Sequence, residues 1–543
     1  MTDIEYTPDQ MAAIEANSNL VITACPGSGK TSVVVEKIRR QVESLKDYKG
    51  VVGITFTVKA SKELRSRCGR DGLNTKSSFF GTIDHFCLSE IIYPFVSRIF
   101  GVTSCVLECK AFKDIDDDMQ AKLPNLSEIG NELKSEHFIV YQTVFRELYD
   151  KGTILLESVA ILALEILKQS RACQNYISSR YVSVFVDEYQ DSSEPQHKLF
   201  LELLKLGLCG VAVGDVQQSI YAWRGSDPKY ILELIDSPDV FEHHLININH
   251  RCHPSINNYA NRIINEHCEI VETQELRVYQ WFLNGDQYSV AEQLDSSVKQ
   301  LLSEGLVSTL SDVAVLVRWN RSLEYLKARL SVPFRIYGDD ILSSINSAVT
   351  NFMGGLLYFR FDKDILVGDV LDSISGFNTF SQSEKRRYRN IVRSIRTCAP
   401  DQLLNLIVEL TGMIFGDSLK GSEVKALGAV LEDPDTLKNY HPKDPNELQI
   451  MTLHKAKGLE FDVVYHLDLY DWVFPRRDFT GNFNEEVFPD WEQDLNLHFV
   501  GITRAKEHCI LISSNRRINS SGENKSGSKS QFLTLSGIVG LYR

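Results

Sequence analysis

One short segment near the amino terminus has residue types and spacing that suit a phosphate group. The chain reads NLVITACPGSGKTSVVVEKI there, so an apolar, strand-like run ends in a glycine-containing turn before a stretch with helical propensity. Gly27 and Gly29 let backbone N–H groups approach phosphate oxygens at the positive end of that helix. Lys30 can reach the β- and γ-phosphates and Thr31 can ligate Mg²⁺, although Ala24 replaces the first glycine of the usual phosphate-loop pattern. Taken alone, such a loop could also be a structural turn.

A second segment, VFVDEYQD, places Asp187 and Glu188 at the end of an apolar run. One carboxylate can hold the Mg²⁺ shell, and its neighbour can orient or deprotonate an attacking water. Two acids at a strand end would be solvated surface groups if nothing else accompanied them, but beside a phosphate loop they predict nucleotide hydrolysis. Hydrolysis also needs positive charge on the transferring phosphoryl group, for which Arg251 and Arg504 are candidates.

Parallel sheets are the elements that would position these residues. The segments NLVITACPGSGKT, VVGITFTVKASKELRSR, YVSVFVDEYQDSSEPQ and CGVAVGDVQQSIYAW each read as strand, tight turn and helix. Continuous β-branched runs of this kind are typical of a sheet buried on both faces. The alternation returns in SDVAVLVRWNRSLEYLKARL, LQIMTLHKAKGLEFDVVYHLDL and CILISS. We therefore predict an α/β fold with two parallel-sheet cores, each interrupted by a helix-rich insert.

Composition limits the classes of partner. The net charge of −14 argues against nucleic-acid binding through a bulk positive field, so any such site must be local. Eleven cysteines without a Cys-x-x-Cys pair indicate reduced thiols rather than a zinc site. The polar start MTDIEYTPDQ and the lack of an apolar run near 20 residues, roughly what a membrane span needs, lead us to expect a soluble cytoplasmic protein.

The order of the motifs resembles that of the UvrD/Rep/PcrA family of superfamily 1A DNA helicases, from TPDQMAAI through ACPGSGKT, VDEYQD, GDVQQSIYAWRGS, HRCHPSINNYAN and TLHKAKGLEFD to GITRAK. In that family alanine is usual at the position of Ala24. The resemblance implies two RecA-like motor domains with a 1B-like and a reduced 2B-like helical insert. It implies the cofactors ATP and Mg²⁺ and the following boundaries: 1–88 and 181–250 for the first core, 89–180 for its insert, 251–340 and 446–543 for the second core, and 341–445 for its insert.

The resemblance also implies roles at the nucleotide. Gln10 would read adenine, Glu460 would lie near the ribose, and Gln218 would sense the γ-phosphate. Thr31 and Asp187 would hold the metal, and Glu188 would be the general base. The implied nucleotide contacts are Gln10, Ala24, Cys25, Pro26, Gly27, Ser28, Gly29, Lys30, Thr31 and Glu460. The implied catalytic residues are Lys30, Asp187, Glu188, Gln218, Arg251 and Arg504, with the two arginines as fingers.

For single-stranded DNA the resemblance implies a set of aromatic and polar contacts. Phe56 and Trp223 would stack on bases, although either ring could instead be an ordinary core aromatic. Asp84 stands where the family usually has histidine, an unfavourable change beside a phosphate track. The implied DNA contacts are Thr55, Phe56, Thr82, Tyr221, Trp223, Arg224, Arg318, Asn320, Thr452 and His454.

These features favour an ATP-dependent single-stranded DNA translocase or 3′–5′ DNA helicase that also meets junctions of single-stranded and duplex DNA. The alternative is a DNA-stimulated ATPase that senses or regulates within a repair or anti-phage complex, as the helicase-like subunit of the Gabija system would. No nuclease motif follows GITRAK, so a nuclease would be a separate partner. An ATPase acting on RNA is a third reading.

Overall fold

The computed structural model describes residues 5–105, 107–128, 130–338, 340–345, 347–371, 374, 377, 380–482, 485–519 and 521–543, without the side chains of Arg224 and Asp417. The chain divides into two units, Met1–Arg251 and Cys252–Arg543. Each unit contains one six-stranded sheet.

The sheet of the first unit is parallel throughout, in the order β3-β2-β6-β7-β1-β8. Its central strands are almost wholly buried because their runs of valine and isoleucine are covered by helices on both faces. A separate pair of short strands, β4 and β5, lies in the helix-rich insert. The strands are β1 Leu20–Ala24, β2 Gly50–Ile54, β3 Phe79–Gly81, β4 Glu108–Lys110, β5 Thr153–Leu155, β6 Tyr181–Val186, β7 Cys209–Gly214 and β8 Glu242–Ile246.

Helices join successive strands of this parallel sheet, so strand–helix–strand crossovers repeat along the unit. The helix after β1 begins directly at the glycine loop, and a π-helical turn at Cys87–Ile92 follows β3. The helices are α1 Pro8–Glu15, α2 Lys30–Glu43, α3 Val58–Cys68, α4 Ile83–Phe86, α5 Tyr93–Phe95, α6 Ser97–Phe100, α7 Asp117–Gln120, α8 His137–Asp150, α9 Val159–Gln169, α10 Arg171–Arg180, α11 Glu194–Lys205 and α12 Lys229–Ile235.

The second unit repeats the architecture with the strand order β11-β12-β10-β13-β14-β9, again parallel. A short antiparallel pair, β15 and β16, follows the last long strand. The strands are β9 Val278–Leu283, β10 Val313–Val317, β11 Phe334–Tyr337, β12 Leu448–Thr452, β13 Phe461–His466, β14 Ala505–Ser514, β15 Arg516–Ile518 and β16 Asn524–Ser526.

A helical layer between β11 and β12 has its own hydrophobic core, separate from that of the second sheet. The described residues of this part form the helices α16 to α22. The helices of the unit are α13 Pro254–Ile264, α14 Gln287–Ser303, α15 Asn320–Lys327, α16 Ile341–Ile345, α17 Ala348–Phe361, α18 Val367–Leu371, α19 Gln382–Ile395, α20 Pro400–Phe415, α21 Gly421–Glu432, α22 Pro434–Leu437, α23 Leu453–Ala456 and α24 Trp491–Ile502.

The predicted α/β class with two parallel-sheet cores is confirmed by these two sheets. The exact boundaries given to cores and inserts remain predictions. Among the helices formed by the described residues, none combines the length and the apolar character that crossing a lipid bilayer requires.

Candidate nucleotide and DNA site

The glycine loop joins the end of β1 to the start of α2. Gly27 and Gly29 have φ of +71° and +78°, a left-handed conformation that favours glycine. The loop is pinned to the neighbouring strand because the Cys25 N–H donates to the Ile246 carbonyl at 3.1 Å. Lys30 and Thr31 are the first two residues of α2, so the open N–H groups of that helix end face the loop.

Two buried polar atoms in this loop suit a phosphate. The Lys30 ammonium and the Ser28 hydroxyl are both buried and have no hydrogen-bond partner within the described part of the chain. Leaving such groups unsatisfied is costly, above all for a charged one, whereas phosphate oxygens would satisfy both. The donor set of the loop therefore fits a nucleoside triphosphate. Burial raises the pKa of the Cys25 thiol to about 11, so this cysteine stays protonated at neutral pH.

Arg251 lies directly against the loop. A Cβ at Gly27 would come within 2.4 Å of the Arg251 Cβ and 2.8 Å of the Asn249 amide oxygen. The same amide oxygen accepts from the Arg251 N–H at 2.8 Å, and the His250 N–H donates to the Gly27 carbonyl at 3.0 Å. The segment after β8 thus needs a glycine at position 27, and it brings the predicted arginine to the predicted phosphate site.

Gln10 supports the loop from the other side. Its side-chain N–H donates to the Ser28 carbonyl at 2.8 Å, and its amide oxygen accepts from the Thr7 N–H at 2.8 Å within a capping box of α1. A Cβ at Gly29 would lie 2.9 Å from the Gln10 amide nitrogen. The geometry gives this glutamine a part in holding the loop, while its contact with adenine stays a prediction.

The two carboxylates follow β6, which runs two strands away from β1 in the same sheet. The Asp187 N–H donates to the Ile54 carbonyl at 2.9 Å, and the Asp187 carboxylate accepts from the Glu188 N–H at 3.0 Å. Glu188 has φ of +58°, which is uncommon for a residue with a side chain and often marks a functional site. Its carboxylate accepts a 2.5 Å hydrogen bond from the Gln190 amide.

Gln190 and Asp215 are bonded to predicted site residues, although the sequence analysis assigned a role to neither. The Gln190 amide oxygen accepts from the Asp215 N–H at 3.0 Å, and the Asp215 carboxylate accepts from the Gln218 amide at 2.6 Å. A continuous chain of hydrogen bonds therefore runs from Glu188 to Gln218, and we name it the Gln190 link. Burial raises the pKa of Asp215, an effect that the positive charge of Lys30 opposes. The only sequence signal for the link was that Gln190 and Asp215 each lie within three residues of an assigned residue.

Three predicted DNA contacts form an aromatic cluster. Phe56 and Tyr221 are stacked, with ring centroids 4.7 Å apart and planes 20° apart, and Trp223 meets Tyr221 edge to face at 6.3 Å. Trp223 is 41% exposed, unlike a core aromatic. Phe56 and Glu188 also line one recess, which brings the aromatic cluster close to the carboxylates. The Arg224 side chain lies outside the described set.

The remaining contacts predicted in the first unit have local structural partners. Thr55 is buried, and its hydroxyl donates to the Thr57 carbonyl at 3.1 Å. Thr82 is the N-cap of α4, and its hydroxyl accepts from the His85 N–H at 3.3 Å. Both residues lie at the carboxyl ends of neighbouring strands, as the motif order implied, and their contact with DNA stays a prediction.

In the second unit, Arg318 is held by an ion pair that the sequence did not suggest. Its guanidinium lies 3.1 Å from the buried Asp494 carboxylate and stacks over the Trp319 ring at 4.3 Å. The neighbouring Asn320 is exposed at the start of α15. Asp494 is itself fixed by the Arg476 N–H at 2.7 Å. The ion pair and the stacking on Trp319 therefore fix the position of the Arg318 side chain. Its direct contact with DNA stays a prediction.

Arg504 is almost fully buried within the second unit. Its guanidinium donates to the carbonyls of Val500 and Leu459 at 3.0 and 3.2 Å and to the Thr503 hydroxyl at 3.2 Å. These bonds connect the end of α24 to the segment that carries Glu460. Thr452 and His454 lie at the junction of β12 and α23, at the carboxyl end of the same sheet. The roles of these residues toward nucleotide or DNA stay predictions.

Comparison with known proteins agrees with this arrangement. The model of the UvrD/REP helicase N-terminal domain matches residues 6–101 and 105–239, and the model of the UvrD-like helicase C-terminal domain matches residues 379–516. The first match contains the glycine loop, the carboxylates and the aromatic cluster, and the second contains Arg504.

Curated relatives extend over almost the whole chain. The Gabija protein GajB of Bacillus cereus is 28% identical and covers 93% of this chain and 94% of its own length. The ATP-dependent DNA helicase PcrA of Bacillus subtilis is 24% identical, with 94% and 83% covered. The ATP-dependent DNA helicase UvrD1 of Mycobacterium tuberculosis is 26% identical, with 92% and 81% covered. With both domain models matched and the phosphate loop, carboxylates and aromatic cluster in place, the chain belongs to the UvrD-like family of ATP-dependent DNA helicases.

Proposed function

We propose that this enzyme is a motor that uses ATP hydrolysis to move along single-stranded DNA in the 3′-to-5′ direction and to unwind duplex DNA. The observation that carries the proposal is the Gln190 link, because it joins the candidate general base to the loop that bears the aromatic cluster. Tyr221 lies three residues after Gln218, the last residue of the Gln190 link. A DNA base that displaces the Tyr221 ring would therefore also shift the buried hydrogen bonds of this link.

In this proposal the first unit performs the hydrolysis. Lys30 and Ser28 direct their buried polar atoms at the phosphates, and Glu188 orients and deprotonates the attacking water. Thr31 and Asp187 would hold Mg²⁺, which when bound neutralises charge on the phosphate oxygens. Arg251, held against Gly27, would offset the negative charge that develops on the transferring phosphoryl group. Arg504 is the second finger in this proposal.

The aromatic cluster is the proposed grip on the strand. Stacking of a base on an aromatic ring is worth about 1–3 kcal/mol and tolerates any sequence, as a translocating motor requires. Binding through rings rather than through a basic field also agrees with the net charge of −14. The four-part division into two cores and two inserts belongs to the same proposal.

ATP turnover by the purified chain, measured with and without single-stranded DNA, tests this function. A 3′-tailed and a 5′-tailed duplex in the same series show unwinding and its polarity. We expect strong stimulation by the single strand and unwinding of the 3′-tailed duplex alone. Equal turnover with and without DNA would contradict the motor function, and unwinding from a 5′ tail would contradict the polarity.

A second candidate is a DNA-stimulated ATPase subunit that works with a separate nuclease in anti-phage defence. The observation in its favour is the match to the Gabija protein GajB, which extends over nearly the full length of both chains, whereas the matched helicases PcrA and UvrD1 are longer. Stimulation by single-stranded DNA without unwinding of either tailed duplex would support this candidate over the first. Stronger stimulation by single-stranded RNA than by DNA would point to an RNA substrate.

A further inference from the structure

The residue directly after Glu188 is anchored in the protein interior. Tyr189 is buried, and its ring packs edge to face on Phe200 of α11, with ring centroids 5.1 Å apart. The Tyr189 hydroxyl lies 2.9 Å from Nδ1 of His197, which is buried on the same helix. Because Glu188 and Tyr189 share a peptide bond, a constraint on the Tyr189 side chain also acts on the backbone of Glu188.

The surroundings of His197 decide how this hydrogen bond is made. Nε2 of the imidazole lies 3.3 Å from the Glu233 carboxylate of α12, and the Tyr230 ring of that helix stacks on the imidazole, with centroids 5.0 Å apart. Burial lowers the pKa of His197 below its ordinary value of 6.5, so the imidazole is neutral at pH 7. A carboxylate can only accept, so Nε2 carries the proton and Nδ1 accepts from the Tyr189 hydroxyl.

The backbone of Glu188 needs such an anchor. Its φ of +58° is left-handed, and conformations of this kind persist only where the surrounding structure over-determines them. One hydrogen bond lies within the turn itself, from the Asp191 N–H to the Glu188 carbonyl at 3.0 Å. The Gln190 link and the bond between Tyr189 and His197 tie the same turn to neighbouring elements.

We propose that His197 is a positioning residue for Glu188. By accepting from the Tyr189 hydroxyl, His197 keeps the strained backbone of Glu188 in the conformation that directs its carboxylate at the attacking water. Glu233 fixes the tautomer of His197 in which Nδ1 can accept. The inference rests on the role of general base proposed above for Glu188.

The first test compares His197→Phe with His197→Asn in the full chain. Phenylalanine keeps a ring that packs on Tyr230 but cannot accept a hydrogen bond, whereas asparagine has an amide oxygen close to the position of Nδ1. With single-stranded DNA and saturating ATP, we expect kcat of His197→Phe to fall about 10- to 100-fold, the order of effect that a small misplacement in an active site has. KM for ATP should change little, because nucleotide contacts are kept.

His197→Asn should recover most of the turnover that His197→Phe loses, since it keeps the acceptor. Equal losses of kcat in the two variants would show that the hydrogen bond is not what matters, and would overturn the proposal. A higher KM for ATP with an unchanged kcat would also overturn it, because His197 would then act on nucleotide binding.

A double variant separates position from stability. His197→Phe leaves the buried Tyr189 hydroxyl without its acceptor, so its midpoint of thermal unfolding should fall. Adding Tyr189→Phe removes both partners and should restore most of the midpoint, because apolar groups of similar shape can replace a hydrogen-bonded pair almost neutrally. We expect kcat of the double variant to stay low. Recovery of kcat together with the midpoint would make the bond purely structural and overturn the proposal. If His197→Phe alone does not fold, the double variant carries the same test of turnover.

Tyr149→Phe is the matched control. Tyr149 is as buried as Tyr189, and its hydroxyl donates to the Gly101 carbonyl at 2.7 Å, away from the carboxylates. This variant should lower the thermal midpoint and leave kcat unchanged. A loss of kcat equal to that of His197→Phe would show that any missing hydrogen bond of a buried hydroxyl slows the enzyme, which would overturn the proposal.

A last comparison distinguishes the positioning role from the assignment of the base. In a chain that carries Glu188→Gln, the further change His197→Phe should lower turnover no more, because the group that His197 positions is already lost. A further loss would overturn the proposal. Normal turnover in Glu188→Gln would overturn the base and the positioning role together. Loss of turnover in Glu188→Gln with normal turnover in His197→Phe would overturn the positioning role alone.

Discussion

Glu188, the proposed general base, shows how the fold fixes the position of a single residue. Its left-handed backbone, φ +58°, costs on the order of 1 kcal/mol or more, and the strain persists because Asp187 and Gln190 hold the residue from both sides. The sequence identified Glu188 through its motif, but not Gln190, whose role depends on Asp215, a partner directly after β7 that no pattern near Gln190 reveals. Residue types at short spacing were predictable, whereas the long-range partners that fix them were not.

Glu188→Gln should separate nucleotide binding from turnover. The amide keeps the size of the side chain but is a poor base, so we expect hydrolysis to fall by about 100-fold or more, within the range typical of general bases, while ATP still binds. Turnover under saturating ATP and the affinity for a fluorescent ATP analogue are the two measurements. Retained turnover would contradict the assignment of the base.

Trp223→Ala should weaken the response to DNA more than basal hydrolysis. The ring is 41% exposed, and the loss of one stacked base, about 1–3 kcal/mol, lowers the apparent affinity for single-stranded DNA by about 5- to 150-fold. Titration of ATP turnover with a single strand measures this affinity. Tyr48→Ala removes another exposed ring of the first unit and should leave the titration unchanged. An equal loss of basal and stimulated turnover would mean that Trp223 is a packing residue.

At the scale of elements, the two sheets and the loop after β1 followed directly from the sequence, because buried β-branched runs and paired glycines are local signals. The docking of distant elements did not. Asp494 on α24 pairs with Arg318 after β10, and Asn249 after β8 meets Gly27 after β1. Each contact joins segments more than 170 residues apart, so neither the ion pair nor the close approach leaves a trace in nearby sequence.

Gly27→Ala tests the close approach of the segment after β8 to the glycine loop. Gly27 and Gly207 both have positive φ, +71° and +89°, so alanine strains the backbone at either position by about 1–2 kcal/mol. Only at Gly27 would the new Cβ collide with Arg251, since nothing lies within 4 Å at Gly207. We expect a larger loss of unfolding free energy in Gly27→Ala than in Gly207→Ala, because the collision adds to the backbone strain, and loss of ATP hydrolysis in Gly27→Ala alone. Full activity of Gly27→Ala would contradict the contact.

A buried pair of histidines predicts sensitivity to acid where α24 packs on β13. His466 bonds to the Leu467 carbonyl at 3.0 Å, and the second nitrogen of its ring lies 3.0 Å from His498. Burial lowers the pKa of His466 from 6.5 to about 4 and that of His498 well below its usual value. At pH values between about 4 and 6.5, these histidines bind more protons in the unfolded chain than in the folded one. The free energy of unfolding therefore falls as pH drops from about 6.5 towards 4.

The measurement is the thermal midpoint of unfolding across that pH range. A variant with His466→Leu and His498→Phe should show a shallower decline with pH than the wild type, whatever its midpoint at neutral pH. His267→Gln is the control, because His267 is highly exposed and its loss should leave the slope unchanged. The same slope in the double variant and the wild type would show that other groups control acid stability.

At the scale of the whole molecule, binding of nucleotide should appear as added stability. A ligand at 100 times its dissociation constant stabilises the folded state by about 2.7 kcal/mol. We expect a non-hydrolysable ATP analogue with Mg²⁺ to raise the midpoint of thermal unfolding of the wild type and of Glu188→Gln. Lys30→Ala should show little or no rise, since it lacks the buried ammonium that we propose binds the phosphates. An equal rise in Lys30→Ala would place the nucleotide elsewhere.

The pairing of β1 has a consequence for synthesis on the ribosome. Among the described strands, the sheet partners of β1 are β7 and β8. The strand that carries the glycine loop therefore has no sheet partner until roughly 185 further residues have been made, about 10 to 40 seconds at ordinary translation rates. During that time the apolar run LVITA lacks both of the strands that flank it in the folded sheet. Ribosomes that stall before β7 would therefore release fragments without a nucleotide site. The unpaired apolar strand of such fragments would promote aggregation unless a chaperone bound it.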